Sequence, residues 1–199
     1  MIKKDLIDEL KFDTIAEKLL NSYELVIGGE VYRICELEIY CRNEKHNDEY
    51  VHCNKDQSLY EKFYFHKYAN GSYKGGTYKG MDITFGDNKT FFGILIRSIY
   101  NERTGEFIEG PCRTVNKILE INEYDKNNLK EFVGENILSI YDDKRIFLKY
   151  NDDLNFKNIY SGPRIGLSDK YPNFKLKNYR YVIYKKKIKK DKKKLILMI

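Results

Sequence analysis

Near the start of the chain Leu6, Ile7, Leu10, Phe12, Ile15, Ala16, Leu19 and Leu20 recur among charged positions at helical spacing, which predicts a helix over residues 4–20. The period then shortens. Residues 23–27 and 31–41 read as two strands joined at Gly28-Gly29, a hairpin turn, and the polar residues 42–56 read as a loop over the end of the second strand. Apolar runs predict further strands at 81–85, 91–99, 137–141, 146–149 and 179–184, with a helix after Gly110-Pro111 at 112–121 and a second amphipathic piece at 125–133. Many strands with a few short helices and no internal repeat predict an α+β fold. The expected organisation is a single domain over residues 1–184, built on a curved and mainly antiparallel sheet, followed by a basic C-terminal tail over 185–199.

One predicted strand is chemically unusual. In Val31-Tyr-Arg-Ile-Cys-Glu-Leu-Glu-Ile-Tyr40 the period of two puts Glu36, Glu38 and Tyr40 on one face of an otherwise apolar element. Carboxylates in such a place are either satisfied by partners or used for chemistry. Glu38, between Leu37 and Ile39, is the candidate general base, with a cross-strand salt bridge to a lysine as the structural alternative. Arg97 lies in Ile94-Leu95-Ile96-Arg97-Ser98-Ile99, where an unpaired guanidinium is prohibitive, so its partner is a structural carboxylate or the catalytic glutamate itself.

Charge placement narrows the partners. The formal charge is +6, but residues 185–194 hold eight Lys and one Asp, a charge of +7, which leaves the remainder at −1. The body therefore carries no overall basic character of the kind that phosphate binding favours, so that either a basic stripe on it is local or the tail, read most simply as a solvated and disordered end, supplies the attraction to nucleic acid. Frequent Lys, Asn and Ile suit an AT-rich coding sequence such as that of a virus. Cys35, Cys41, Cys53 and Cys112 form no CxxC pair, the start of the chain lacks an apolar signal core, and no apolar run reaches the ~20 residues of a membrane span. These features predict an intracellular protein of the cytoplasm or nucleus, not secreted, with free thiols and no membrane partner.

His46, His52, Cys53 and His66 match no compact zinc spacing, so no metal site is assigned. His52 is instead read as a loop histidine that hydrogen-bonds a ligand's phosphate or sugar, or as an ordinary solvated one. The stretch Asn70-Gly-Ser-Tyr-Lys-Gly-Gly-Thr-Tyr-Lys-Gly80 permits tight turns or a close approach of backbone to ligand, but lacks the Gly-Lys-Ser/Thr end of a phosphate loop.

In order along the chain, these segments resemble the methylpurine (3-methyladenine) DNA glycosylase family. Arg33-Ile-Cys-Glu-Leu-Glu-Ile-Tyr40 is similar to its Arg-Ile-Val-Glu-x-Glu-Ala-Tyr strand, Met81-Asp82-Ile83-Thr84 to its Met/Leu-Asn-Ile/Val strand, and Leu95-Ile96-Arg97-Ser98 to Leu-Ile/Leu-Arg-Ala. Gly110-Pro111 with Ile118-Leu119 resembles the Gly-Pro helix start, and Pro163-Arg-Ile-Gly-Leu167 with Tyr179-Arg-Tyr181 the closing segments. The resemblance spans residues 24–184. It implies the glycosylase fold and excision of a damaged or modified purine from DNA. Glu38 would deprotonate the attacking water, Arg97 would position that water, Tyr40 would stack on a flipped-out base, and Asp82 would stand where the family's Asn inspects the purine. No cofactor is implied, since a water nucleophile needs neither a lysine Schiff base nor a metal.

The departures define the alternative. No Asp-x-x-Ser-His-Ala segment follows the catalytic strand, and the Gly-rich stretch replaces the family's Tyr-Val-Tyr-x-x-Tyr-Gly, leaving Tyr73 or Tyr78 as substitutes. Asp82 in place of Asn only accepts when ionised, which favours ligands with amino donors. A glycosylase-like scaffold that sequesters a free purine nucleotide or a nucleotide-derived signal without cutting it is the second expectation. DNA or such a nucleotide is thus the expected partner.

Overall fold

The first amphipathic segment folds as two helices, α1 (Lys4–Asp8) and α2 (Phe12–Ser22), in a computed structural model that describes residues 2–135 and 137–198. Leu10 breaks them apart. Its φ of 56° is left-handed, and the Lys11 N–H donates to the Leu6 carbonyl at 2.8 Å, which closes α1 and turns the chain. Phe12 then seats edge-on against Phe92, Tyr179 and His46, and α2 buries Phe12, Ile15, Ala16, Leu19 and Leu20 while Thr14 and Glu17 face solvent.

The chain continues through β1 (Tyr23–Ile27), β2 (Glu30–Arg42), β3 (Tyr60–Phe65), β4 (Met81–Phe85), β5 (Phe91–Tyr100), β6 (Phe107–Glu109), α3 (Pro111–Ile121), α4 (Leu129–Val133), β7 (Ile146–Tyr150), β8 (Tyr160–Gly162), α5 (Pro172–Lys175), β9 (Arg180–Val182) and β10 (Ile196–Leu197). All the strand pairings are antiparallel and build one sheet in the order β10-β8-β9-β2-β5-β4-β3. The molecule is an α+β single domain, as expected. β2 is the longest strand, and one of its edges carries β1 along its first part and β9 along its second, while the other carries β5. β1 in turn pairs with β7, and β5 adds β6 beyond β4. The core lies between one face of this sheet and α2 and α3, the latter contributing Val115, Ile118 and Leu119.

Two expectations are corrected. Residues 137–141 form no strand, although Leu138 and Ile140 are buried: they touch β3 through Phe63 N–H to Leu138 O and Ile140 N–H to Glu61 O, with one bridge between Lys62 and Ser139. Glu61, at φ 57°, sits in a register shift of β3, and that kink prevents a continuous ladder. Nor do residues 185–198 form a free tail. Ile188 and Leu195 pack with Val182, β10 pairs with β8, and the Glu109 carboxylate accepts from the N–H groups of Lys189 and Lys190. The lysine run is interrupted by apolar anchors at positions 188 and 195, and their burial outweighs the tendency of charged neighbours to stay in water.

This docking is measurable. Truncating the fully buried Ile188 to Ala should lower unfolding free energy by about 2–4 kcal/mol in urea titrations, whereas Lys193→Ala should change it by less than about 0.5 kcal/mol. Equal, small effects of both would mean that the tail does not dock.

Candidate functional site

Two compensating bulges decide which side chains leave the core. Between β2 and β5 the partners run Ile34 with Ile99, Glu36 with Ser98 and Leu37 with Ile96, so Cys35 is the extra residue on β2 and Arg97 the extra residue on β5. The pleat changes parity there. Tyr32 and Ile34 face the core before the bulge and Leu37, Ile39 and Cys41 face it afterwards, so Glu36, Glu38 and Tyr40 emerge together on the opposite face. Across the strands Glu38 pairs with Leu95, Leu95 with Asp82 and Asp82 with Tyr64, and on the other edge Glu38 pairs with Arg180. Paired residues share a face, which puts Glu38 and Asp82 on the same side of the sheet.

Both glutamates are buried, at 1% and 0% exposure, and each is satisfied differently. Glu36 accepts from Arg180 Nε at 2.7 Å, Arg97 Nε at 3.1 Å and the Ser98 hydroxyl at 2.5 Å. Glu38 accepts from the Ile165 N–H at 2.7 Å and the Tyr40 hydroxyl at 2.9 Å, with Arg97 Nε 3.4 Å from Oε1. Arg97 therefore pairs with both carboxylates. Burial alone would lower its pKa, but Glu38 and then Glu36 outweigh that and hold it above its ordinary value. The pKa of Tyr40 is raised well above the usual phenol value by burial and then by the charge of Glu38, so its hydroxyl remains a donor.

Tyr40 is also the link to open space. Its ring lies 4.3 Å from the guanidinium carbon of Arg164, which is locked by a two-point ion pair to Asp48 at 2.6 and 3.1 Å with neither side chain exposed. In front of Tyr40 is a cavity of about 100 Å³ lined by Tyr40, Tyr50, His52, Gln57, His66, Asp82 and Leu167. Asp82 is held by His66 Nε2 at 2.7 Å and Gln57 Nε2 at 3.3 Å. Its carboxylate lies across β5 only because position 93 is glycine: a Cβ there would meet Asp82 Oδ2 at 2.5 Å. Tyr50 is fixed by its hydroxyl donating to Ser168 O at 2.5 Å. An aromatic platform facing a carboxylate with two amide or imidazole neighbours suits a flat heterocycle bearing N–H donors.

Of the predicted residues, the structure gathers Tyr40, His52 and Asp82 around this cavity and Glu38 and Arg97 behind Tyr40. Tyr73 lies elsewhere, in a larger groove, with Lys67 Nζ 5.1 Å from its ring centre. Tyr78 does not line the small cavity and is 72% exposed in a short 3-10 turn, because the Gly-rich stretch bends away after Lys74 N–H bonds to His66 O. His46 is a structural residue, bonding Cys41 O and the Tyr179 hydroxyl among Phe12 and Phe174. Gln57, Tyr50, His66 and Leu167 escaped sequence reasoning as pocket residues. The run Tyr64-Phe65-His66 does contain a usable signal, since a hairpin pairing of Tyr64 with Asp82, continued by one residue past the end of β3, puts His66 on the same face. All four cysteines are free, and among the described residues no helix is long and apolar enough to cross a membrane.

No protein-family model matches the chain. It is similar to a protein of Acanthamoeba polyphaga mimivirus named Uncharacterized protein L759, with 46% identity over 200 residues that cover 94% of this chain and 92% of that protein.

His52 reports on the site's electrostatics. Its ring lies edge-on to His66 at 4.8 Å, and although the residue is open at the cavity mouth, desolvation by its neighbours and then the His66 charge push its pKa down to about 4. The unfolded chain, with an ordinary histidine near 6.5, therefore binds a proton between pH 6.5 and 4 that the native state does not. Stability from this residue should be intact above pH 6.5 and fall as pH drops toward 4. NMR titration should give a His52 midpoint near 4, and His52→Gln should flatten the pH dependence of unfolding in that window; a midpoint near 6.5 would contradict the assignment.

Proposed function

The chain belongs to the family of Uncharacterized protein L759 of Acanthamoeba polyphaga mimivirus, and for it we propose hydrolysis of an N-glycosidic bond, with a modified purine of DNA as the base released. The observation that carries this reading is the carboxylate of Glu38, held by Arg97, the Ile165 N–H and the hydroxyl of the very tyrosine that walls the cavity. In this reading the domain is a divergent form of the methylpurine DNA glycosylase fold.

The proposed chemistry divides among these residues. A base leaves the helix before its glycosidic bond is reachable, and stacking on Tyr40 offsets part of the unstacking cost. Asp82 accepts a hydrogen bond from an amino or ring N–H of that base, using lone pairs left by His66 and Gln57. As the base departs, positive charge develops on the sugar and Glu38 stabilises it. Movement of the Tyr40 hydroxyl releases Oε2, which takes a proton from water directed at C1′. Arg97 pairs with the carboxylate and orients it.

One observation favours a second reading. The carboxylate of Glu38 has no exposed surface, which suits a scaffold that holds a purine nucleotide without cutting it.

Duplex DNA containing alkylated or deaminated purines separates the two. Release of free base, measured as alkali-labile abasic sites, should fall at least about 100-fold in Glu38→Gln while binding of the same DNA persists. Unchanged release in that variant would overturn the role of Glu38. Intact nucleotide recovered by mass spectrometry after heat denaturation of the complex, with no free base from DNA, would establish the binding reading instead.

A further inference from the structure

Beside the small cavity, a groove of about 540 Å³ is lined by five lysines, Lys67, Lys74, Lys79, Lys126 and Lys130, against one carboxylate, Glu135. Two loops form it: the Gly-rich stretch after β3, and the segment around α4. The two spaces share a wall, because Lys74 Nζ lies 3.2 Å from Nε2 of His52, which lines the cavity.

Among the described residues, four of the five lysine charges of this groove have no carboxylate partner. Lys67 pairs with Asp56 at 2.6 Å, but among the described residues Lys74, Lys79, Lys126 and Lys130 have no carboxylate within 4.0 Å. Lys79 is the telling case. It is only 4% exposed, and its ammonium donates to the Lys126 carbonyl at 2.7 Å, a dipole rather than a counter-charge. A buried ammonium without an anion is costly, and an open groove beside it is where an anion would relieve that cost. Burial also lowers the pKa of Lys74, the direction in which a desolvated ammonium moves. The glycines at 71, 75 and 134 keep side chains away from the groove wall, so a ligand can approach the backbone.

We propose that this groove binds consecutive phosphates attached to the nucleoside whose base occupies the cavity in front of Tyr40. The inference rests on the purine reading of that cavity for its second half only; the anion site stands on the lysines. Of the two sources of attraction left open by the charge distribution, it favours a local basic site on the body despite its near-neutral total.

Inorganic tripolyphosphate, which has no base, tests the groove alone. By titration calorimetry the full-length chain should bind it, and Lys126→Gln/Lys130→Gln, two exposed positions that leave the fold intact, should weaken binding at least tenfold, with Lys79→Met doing the same. Tyr40→Ala should leave tripolyphosphate affinity unchanged while weakening an oligonucleotide that carries a modified purine. Failure of only that second expectation would overturn the base cavity and not the groove. With the oligonucleotide, the double lysine variant should reduce the log–log salt slope by about 1.4, the value for two lost contacts on a single strand. Displacement of tripolyphosphate by the oligonucleotide identifies a strand backbone as the source, and displacement by a purine nucleoside triphosphate identifies a free nucleotide. Absent tripolyphosphate binding, equal affinity of the wild type and the double variant, or displacement by neither competitor would overturn the proposal.

Discussion

Glu36 and Glu38 are two carboxylates with essentially no exposed surface, set where β2, β5 and β9 meet, and the guanidinium groups of Arg97 and Arg180 make their burial tolerable. Charges taken out of water cost several kcal/mol each unless geometry and hydrogen bonds compensate, and removal of one partner of such a pair typically costs about 3–5 kcal/mol. The sheet is arranged to provide that compensation. Arg97 comes from a bulge, Arg180 from a strand only three residues long, and Ser98 and the Ile165 N–H complete the acceptor demand. A mismatch of one residue in any of these registers would leave a buried charge alone.

The same bulges divide the molecule into a structural face and a chemical one. On the core side Leu37, Ile39, Ile83, Ile94 and Ile96 pack beneath α2 and α3, and on the other side Glu38 of β2, Asp82 of β4 and Tyr64 of β3 follow the pleat, with His66 just past the end of β3. Rigid strands carry most of these polar groups, which limits their freedom to reorganise. The loops contribute what strands cannot: His52 and Tyr50 close the cavity, and Arg164 with Asp48 props the ring of Tyr40 from behind.

Small cavity and lysine groove together divide shape from charge. The cavity offers an aromatic surface and a hydrogen-bonded carboxylate, which in the proposed function would select a heterocycle; the groove offers positive charge, which would give affinity without selecting a base. The Gly-rich stretch serves both, since its first turn bonds back to His66 while its lysines line the groove. Placement of charge matters more here than its sum over the chain.

Periodicity in the sequence was enough to define the α+β class, the long strand with its two glutamates and tyrosine, the strand at 81–85 and the helix after Pro111, because side chains repeat every two or 3.6 residues whatever the tertiary setting. It also marked Arg97 as a residue that must find a carboxylate. Strict alternation could not reveal the bulges: it puts Ile34 on the face of Glu36, whereas the extra residue at position 35 returns Ile34 to the core. Tertiary structure alone decided that Arg97 serves both glutamates, that Arg180 joins them from 144 residues away, and that His66 and Gln57 hold Asp82. It also decided the fate of the C-terminal lysines and of the Gly-rich turn. For the buried charges the deciding partner lies far along the chain, and even for the Gly-rich turn and the C-terminal lysines a local pattern carries no record of which backbone or side chain will offer an apolar pocket, an acceptor or a counter-charge.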